Sequence, residues 1–438
     1  MKNTINLGEG NVKNIFIRYA IPAILGMVAM TSAQIIDGIF VGRFVGPNAL
    51  AAISLAMPIL MVLFGIGMMM GVGGATLANI KRGEEKIEQS NNYYSVTISL
   101  IAMISLIATL ICIFFSKNIA SILGADKTTH ADVVTYISIL GLFLFPYLIN
   151  TSLDMFLRND GFPNFPIICI GSGSILNIIL DYILIAKLEW GIAGAALATG
   201  LAQLLPMLAM VIFIIKKSTW KFVKPIFKFN DIKYMVFNGS SEMFSNISVG
   251  ISGFLFNLII MKEIGTAGIT AYTISIYATT ISIAIFYGVA NAIAPGVSFN
   301  IGKGDIVRVF SFRNMGVITN ILIGVILCLI LFLLGDKLAY LFVGEDEVIR
   351  ELAVRITRFA AASLTIAGVN IVASMYYTSI NQPLISVIIA ISRSLIMLVL
   401  GLFILPNIMG QDGIWASYIF AELTTLLIVL YYFKKRPY

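Results

Sequence analysis

The stretch Leu176-Asn177-Ile178-Ile179-Leu180-Asp181-Tyr182 decides how this chain is read. It lies inside a long apolar segment, where burying a carboxylate among about twenty apolar residues costs several kcal/mol. A membrane helix keeps such a group when it is paired, protonated or used. Asn177 stands one helical turn before Asp181, so both side chains leave the same helix face. A carboxylate and an amide oxygen together suit a proton or a small hard cation. A second acid, Asp37, lies in the first apolar segment, and the two acids mark an energy-coupling site in a membrane transporter.

The composition agrees. With 59% hydrophobic and 12% charged residues over 438 positions, the chain has too little charge to cover a soluble surface of that size. The net charge of +7 is spread over short loops between apolar segments, which points to topology and argues against a nucleic-acid partner. Cys112, Cys169 and Cys328 fall inside apolar segments without metal-ligand spacing and read as small core residues. The first apolar segment is long and runs into Asp37-Gly38, so no cleavable signal peptide is expected.

A membrane-crossing helix needs about twenty apolar residues. Such stretches number twelve: 15–40, 50–80, 93–115, 133–156, 165–186, 191–215, 232–261, 267–299, 309–334, 352–380, 384–405 and 414–433. If the N-terminus faces the cytoplasm, the inner loops receive Lys2, Lys13, Arg18, Lys81, Arg82, Lys86 and Arg158. They also receive Lys216, Lys217, Lys221, Lys224, Lys228, Lys233, Lys303, Arg308, Arg313, Lys434, Lys435 and Arg436. The outer loops keep only Arg43, Lys117, Lys127, Lys187, Lys262, Lys337 and Arg350, with Arg355 and Arg358 early in the tenth segment. This bias predicts a multi-pass protein of the cell membrane with both termini cytoplasmic.

The basic run 216–233 reads as a solvated connection near anionic lipid, and it divides the chain into lobes 1–217 and 231–438 joined by a linker at 218–230. The halves look duplicated. Gly46-Pro47-Asn48-Ala49-Leu50-Ala51-Ala52 opens the second segment, and Gly265-Thr266-Ala267-Gly268-Ile269-Thr270-Ala271 opens the eighth, 219 positions later. The ends near Arg82-Gly83-Glu84 and Ile301-Gly302-Lys303 keep that offset, and Gly161-Phe162-Pro163 matches Asn381-Gln382-Pro383. An even number of spans per half makes the repeats parallel, related by a pseudo-two-fold axis along the membrane normal. The expected fold is all-α: twelve transmembrane helices, two six-helix lobes and a V-shaped cavity between them.

The polar residues in these segments are unevenly shared. The first half has Gln34 and Asp37 on one helix, Asn177 and Asp181 on another, and Tyr136 and Thr199 on two more. The repeat counterpart of Asp37 is about Phe256, with Asn257 adjacent, and that of Asp181 is about Gly401. A structural role common to both repeats would appear twice, whereas a site for one ion appears once. The plainer alternative for Asp37 is helix capping, since it lies near a helix end; Asp181 has apolar residues on both sides. Glu242 and Glu422 in the second half could meet a cationic substrate or be structural, and Arg393 reads as a partner for one of them. Arg158 has Asp154 one turn away. Met57, Met61, Met68, Met69 and Met70 crowd the second segment, with Phe286 and Tyr287 at the matching part of the eighth. Thioethers and rings suit a cavity for varied apolar cations, though plain packing explains them as well.

These residues resemble the multidrug and toxic-compound extrusion (MATE) transporters over essentially the whole chain. The resemblance rests on Asp37-Gly38-Ile39-Phe40-Val41-Gly42, on Leu176-Asn177-Ile178-Ile179-Leu180-Asp181, and on Gly191-Ile192-Ala193-Gly194-Ala195-Ala196-Leu197-Ala198-Thr199. It is closer to the DinF-like branch and the Gram-positive drug-efflux members than to the NorM-like branch, whose acid on the tenth helix is missing here: residues 361–380 offer only Asn370. The resemblance implies a cation site in the first lobe at Asp37, Tyr136, Asn177, Asp181 and Thr199, for H+ or Na+, with any Na+ held by Asp37, Asn177 and Asp181. It also implies bending at Pro22. Gln34, Glu242, Asn257, Met61, Met68, Phe286 and Glu422 are candidates for substrate contact or a second polar site.

The expected function is export of cationic, amphipathic drugs or toxic compounds in exchange for H+ or Na+ by alternating access, in a monomer without a cofactor. A flippase for lipid-linked precursors is the nearest rival, but the charge inside the membrane is mainly acidic and favours cationic cargo. An enzyme finds no support: the one histidine, His130, lies in a polar loop beside Asp132. A channel would need a ring of acids, and an ATP-driven pump a phosphate-cradling loop, and neither appears in the sequence.

Overall fold

The structure is a computed structural model that describes residues 5–344, 346–436 and 438. Lys2, counted above among the inner charges, lies outside the described residues. Eleven helices are long and apolar enough to span a bilayer, and a bent pair supplies the twelfth. In chain order they are α1 (Val12–Val45), α2 (Asn48–Gly83), α3 (Ile87–Phe114), α4 (His130–Gly141 and Leu144–Asn159, bent by 52°), α5 (Asn164–Lys187) and α6 (Gly191–Lys217). The second half contains α7 (Phe229–Glu263), α8 (Thr266–Lys303), α9 (Ile306–Tyr340), α10 (Glu347–Ser379), α11 (Pro383–Met409) and α12 (Gln411–Lys435). No strand is present among the described residues.

Local chemistry sets several boundaries. Asn11, Asp305 and Asp346 cap α1, α9 and α10, each side chain accepting a hydrogen bond from a backbone N–H of the first turn. Gly46 and Gly265 precede α2 and α8 with φ of 111° and 86°, a backbone region that excludes most side chains. The repeat seen in the sequence is thus a repeated turn. α1 runs through Pro22 without a break from Val12 to Phe40.

The lobes meet through reciprocal contacts at the end of the bundle that carries most of the basic loops. A Cβ on Gly83 would strike the Phe299 carbonyl oxygen, and one on Gly302 would strike that of Ile80. Residues 80 and 83 are the repeat counterparts of 299 and 302, so the contact is isologous, as a two-fold axis requires. Asn79 Nδ2 donates to Ser298 Oγ at 2.7 Å, again between counterpart positions, and to the Pro295 carbonyl at 2.9 Å. The first helix of each half packs on the second helix of the other. Ile24 of α1 lies against Gly288 of α8, while Gly239 of α7 lies against the Met69 carbonyl of α2. In lipid no hydrophobic force pulls helices together, and such close backbone approach supplies the packing instead. Towards the other end, Leu50, Met57 and Met61 of α2 and Ile276 and Ile281 of α8 are exposed.

One apolar core fills the first lobe from Val41 to Ile214 and takes in Trp220 of the linker and Met235 of α7. The second joins Phe286, Val289, Ile293 and their neighbours to Ile15, Phe16, Tyr19, Ala20 and Ala23 of α1. The beginning of α1 is therefore shared between lobes.

The linker is exposed along most of its length, and it is also anchored to the first lobe. Its lysines are exposed, but Trp220 is buried, with its Nε1 donating to the Phe156 carbonyl at 2.7 Å. The Arg82 guanidinium lies 3.5 Å from the Trp220 ring centroid and pairs with Asp160 at 2.9 Å. Asp160 also accepts from Ser218 Oγ, Thr219 N and Thr219 Oγ1. One buried indole and one carboxylate with several donors hold the segment against the first lobe.

Candidate functional site

The two intramembrane acids come from helices that pack side by side, α1 and α5. Both sit where the α-helix widens. The Val41 N–H reaches back to the Asp37 and Gly38 carbonyls, and Val41–Val45 then forms a π-helical turn. Asp181, whose N–H reaches the Asn177 and Ile178 carbonyls, heads the π-helical stretch Asp181–Lys187. Such wide turns recur at functional sites because they shift a side chain off the regular helical register. Asp37 is thus followed by more helix and is not its cap.

The Asp37 and Asp181 carboxylates lie close enough to interact directly, and the Tyr136 hydroxyl on α4 is within electrostatic reach of both. Asp181 and Tyr136 are buried, and Asp37 is half-buried. Both Asp181 oxygens, Asp37 Oδ1, Asn177 Nδ2 and Thr199 Oγ1 are buried without a hydrogen-bond partner among the described residues. Thr199 is on α6, which packs against both the Tyr136 segment of α4 and the π-helical stretch of α5. Orphaned buried polar atoms are rare in folded proteins because each carries a desolvation cost. Two carboxylates facing each other, one of them fully buried, add mutual repulsion, so this arrangement favours uptake of a proton or a cation. Among the described residues no three His, Cys, Asp or Glu come together, so any bound metal cation would have to be a hard ion satisfied by two carboxylates plus amide or hydroxyl oxygens.

Sequence reasoning missed a neighbouring polar link. Asn150 Nδ2 of α4 donates to the Gln203 carbonyl and to Gln203 Oε1, both at 2.9 Å, one turn beyond Thr199 on α6. The signal was available, since both are amides within apolar segments.

The remaining candidates scatter. Gln34, one turn before Asp37, is exposed, and so is Asn257. Met61 is exposed near Gly250 of α7, and Met68 is half-buried. Phe286 lies wholly inside the second core beneath Gly368, so its ring packs and faces no cavity. Glu422 is an ion-pair partner: Arg393 Nη2 reaches its Oε1 at 2.8 Å and Asn370 Nδ2 its Oε2 at 2.7 Å. Glu242 is different. It is buried, its carboxylate makes no hydrogen bond or ion pair among the described residues, and it lines a small pocket with Ser245, Tyr287, Ser374 and Arg393. Arg158 pairs with Asp154 at 2.6 Å, as their spacing suggested.

The MatE family model matches this chain twice, at residues 22–183 and 242–403. The chain belongs to the MATE family. The two matches lie on either side of the basic run 216–233. Among curated relatives, the multidrug export protein MepA of Staphylococcus saprophyticus is 26% identical over 421 residues, covering 94% of this chain and 92% of that one. MepA of Staphylococcus aureus is 27% identical over 429 residues, covering 95% and 93%. A MATE protein solved in complex with MaL6 superposes with a TM-score of 0.94 at 22% identity, covering 100% of this chain and 98% of that one, and so shares the fold. This MATE protein is therefore a multi-span membrane transporter of the secondary active antiport type, not an enzyme.

Proposed function

We propose that this transporter exports amphipathic organic cations across the cell membrane in exchange for H+ or Na+ bound in the first lobe. The observation that carries the reading is the pair Asp37 and Asp181, drawn together with Tyr136 beside them, with both Asp181 oxygens and the Thr199 hydroxyl oxygen left unsatisfied. The two acids hold the ion. Asn177 and Thr199 supply neutral oxygens, and Tyr136 supplies a hydroxyl. The lobes, 1–217 and 231–438 with 218–230 between them, rock about the glycine contacts of α2, α7 and α8. Ion binding favours one arrangement of the V and substrate the other, each by a few kcal/mol. Glu242, buried and unpaired at the edge of the second lobe's pocket, supplies negative charge for the cationic end of the cargo. Both termini lie on the cytoplasmic side, where the basic loops gather, and the working unit is one chain.

The test is efflux of a cationic fluorescent dye from proteoliposomes under an imposed pH gradient and, separately, an imposed sodium gradient. Efflux driven by at least one gradient is expected. Gradient-driven efflux by Asp181→Asn at the full rate overturns the coupling assignment.

A further inference from the structure

We propose that the strap joining the two lobes is a binding strip for the headgroups of anionic phospholipids. The strap backbone is held along α3. Lys221 N donates to Asn91 Oδ1 at 3.2 Å, Val223 N to Ser95 Oγ at 2.8 Å and Ile226 N to Asn92 Oδ1 at 2.8 Å, while Asn92 Nδ2 returns a bond to the Ile226 carbonyl at 3.3 Å. Trp220 anchors its start between Tyr94 and Phe156. A backbone held at this many points cannot turn its outer side chains inward.

Those side chains are of two kinds. Lys216, Lys217, Lys221, Lys224, Lys228 and Lys233 are all exposed, and none of them forms an ion pair among the described residues. The one acid in the segment, Asp231, accepts instead from the Tyr93 hydroxyl at 3.3 Å. Between the lysines stand Phe222, Ile226, Phe227 and Phe229, exposed by 61%, 59%, 48% and 79%. In water this would leave apolar surface uncovered beside unneutralised charge. Where α6 and α7 leave the bilayer, the same pattern is complementary on both counts: rings settle at the headgroup level and ammonium groups reach the phosphates. A free soluble anion would satisfy the lysines and leave the rings wet, so a lipid fits better. The inference stands apart from the export reading, because the strap carries none of the residues assigned to ion or cargo.

The experiment uses the full-length protein in neutral detergent, titrated with dioleoyl-phosphatidylglycerol or dioleoyl-phosphatidylcholine, with bound lipid read by native mass spectrometry. Wild type should retain the anionic lipid in preference to the zwitterionic one. The variant K221Q/K224Q/K228Q should lose about 100-fold in apparent phosphatidylglycerol affinity, at roughly fivefold per lysine. The Lys→Arg triple should keep it, and K127Q/K337Q, which removes exposed lysines at the other end, should not change it. Wild-type affinity in the glutamine triple overturns the proposal, as does full competition by soluble glycerol phosphate at equal concentration.

Discussion

The first lobe has an acid pair where the second lobe has a stack of rings. The counterpart of Asp37 is Phe256, fully buried, stacked on Tyr272 at 5.5 Å and on Tyr418 at 4.7 Å between ring centroids. Tyr272 and Tyr418 share a hydrogen bond of 2.7 Å, and the position matching Asp181 is Gly401, closed over by Ser417 and Phe420. One lobe keeps an acid pair with unsatisfied oxygens at this depth, and the other fills the matching place with packed rings. The second lobe does hold a buried charge, Arg393, also in a π-helical turn (Ser392–Ile396), but Glu422 neutralises it. Duplicated backbones can thus divide labour: a satisfied ion pair makes structure, whereas an unsatisfied acid pair is free to take up and release an ion.

That contrast can be broken in several ways. The largest effect is expected at Asp181→Asn, which should reduce gradient-driven dye efflux on the order of 100-fold by removing the ion's preference for one state, with insertion and folding intact. Dye efflux from proteoliposomes measures it. Glu422→Gln should do the reverse. Stranding Arg393 without a counter-charge costs about 3–5 kcal/mol, read as a fall in thermal unfolding temperature in detergent, and Asp181→Asn should not lower that temperature by as much. If the two variants behave alike, the proposed division between lobes is wrong.

A substitution between the lobes tests their pivot. Gly239→Leu puts a side chain against the Met69 carbonyl and should disfavour the closed basic end by about 1–3 kcal/mol, seen as faster labelling of a cysteine introduced at Ser298. Phe256→Leu keeps most of the apolar volume opposite the acid site. It should cost about 1 kcal/mol of stability and leave transport within roughly twofold, so a large transport defect would place coupling in both lobes. The smallest change is expected at Thr199→Ala. Loss of one neutral oxygen should weaken ion binding by about 1 kcal/mol, a several-fold shift in the ion concentration giving half-maximal efflux.

Much of this was legible in advance, for identifiable reasons. Span lengths follow from bilayer thickness, so the expected segments appear, and the bent α4 (His130–Asn159) contains its expected range 133–156. The spacing of Arg158 and Asp154 is a helical neighbour relation, and the pair forms as a single helix dictates. The linker's exposed lysines were legible, but its anchoring was not, because Trp220 reads as one more apolar residue until its partners are known. One buried indole outweighs several solvated charges in deciding where a segment lies. Phe286 stayed open between core and cavity in the sequence, because a ring on a helix can face either and helical periodicity alone does not say which; it lies in the core.

By itself, then, the sequence determined what is local or one-dimensional: twelve apolar lengths, a basic face, a repeat at 219 positions and an acid pair, Asp37 and Asp181, whose repeat counterparts are Phe256 and Gly401. The tertiary structure decided every relation between helices. It brought Asp37 to Asp181, gave Arg393 to Glu422 and left Glu242 alone, and set Gly83 and Gly302 against carbonyls of the opposite lobe. The reason is physical. A residue's depth and helix face follow from counting along the chain, whereas the partner it meets depends on the rotation and crossing of another helix, which only packing sets.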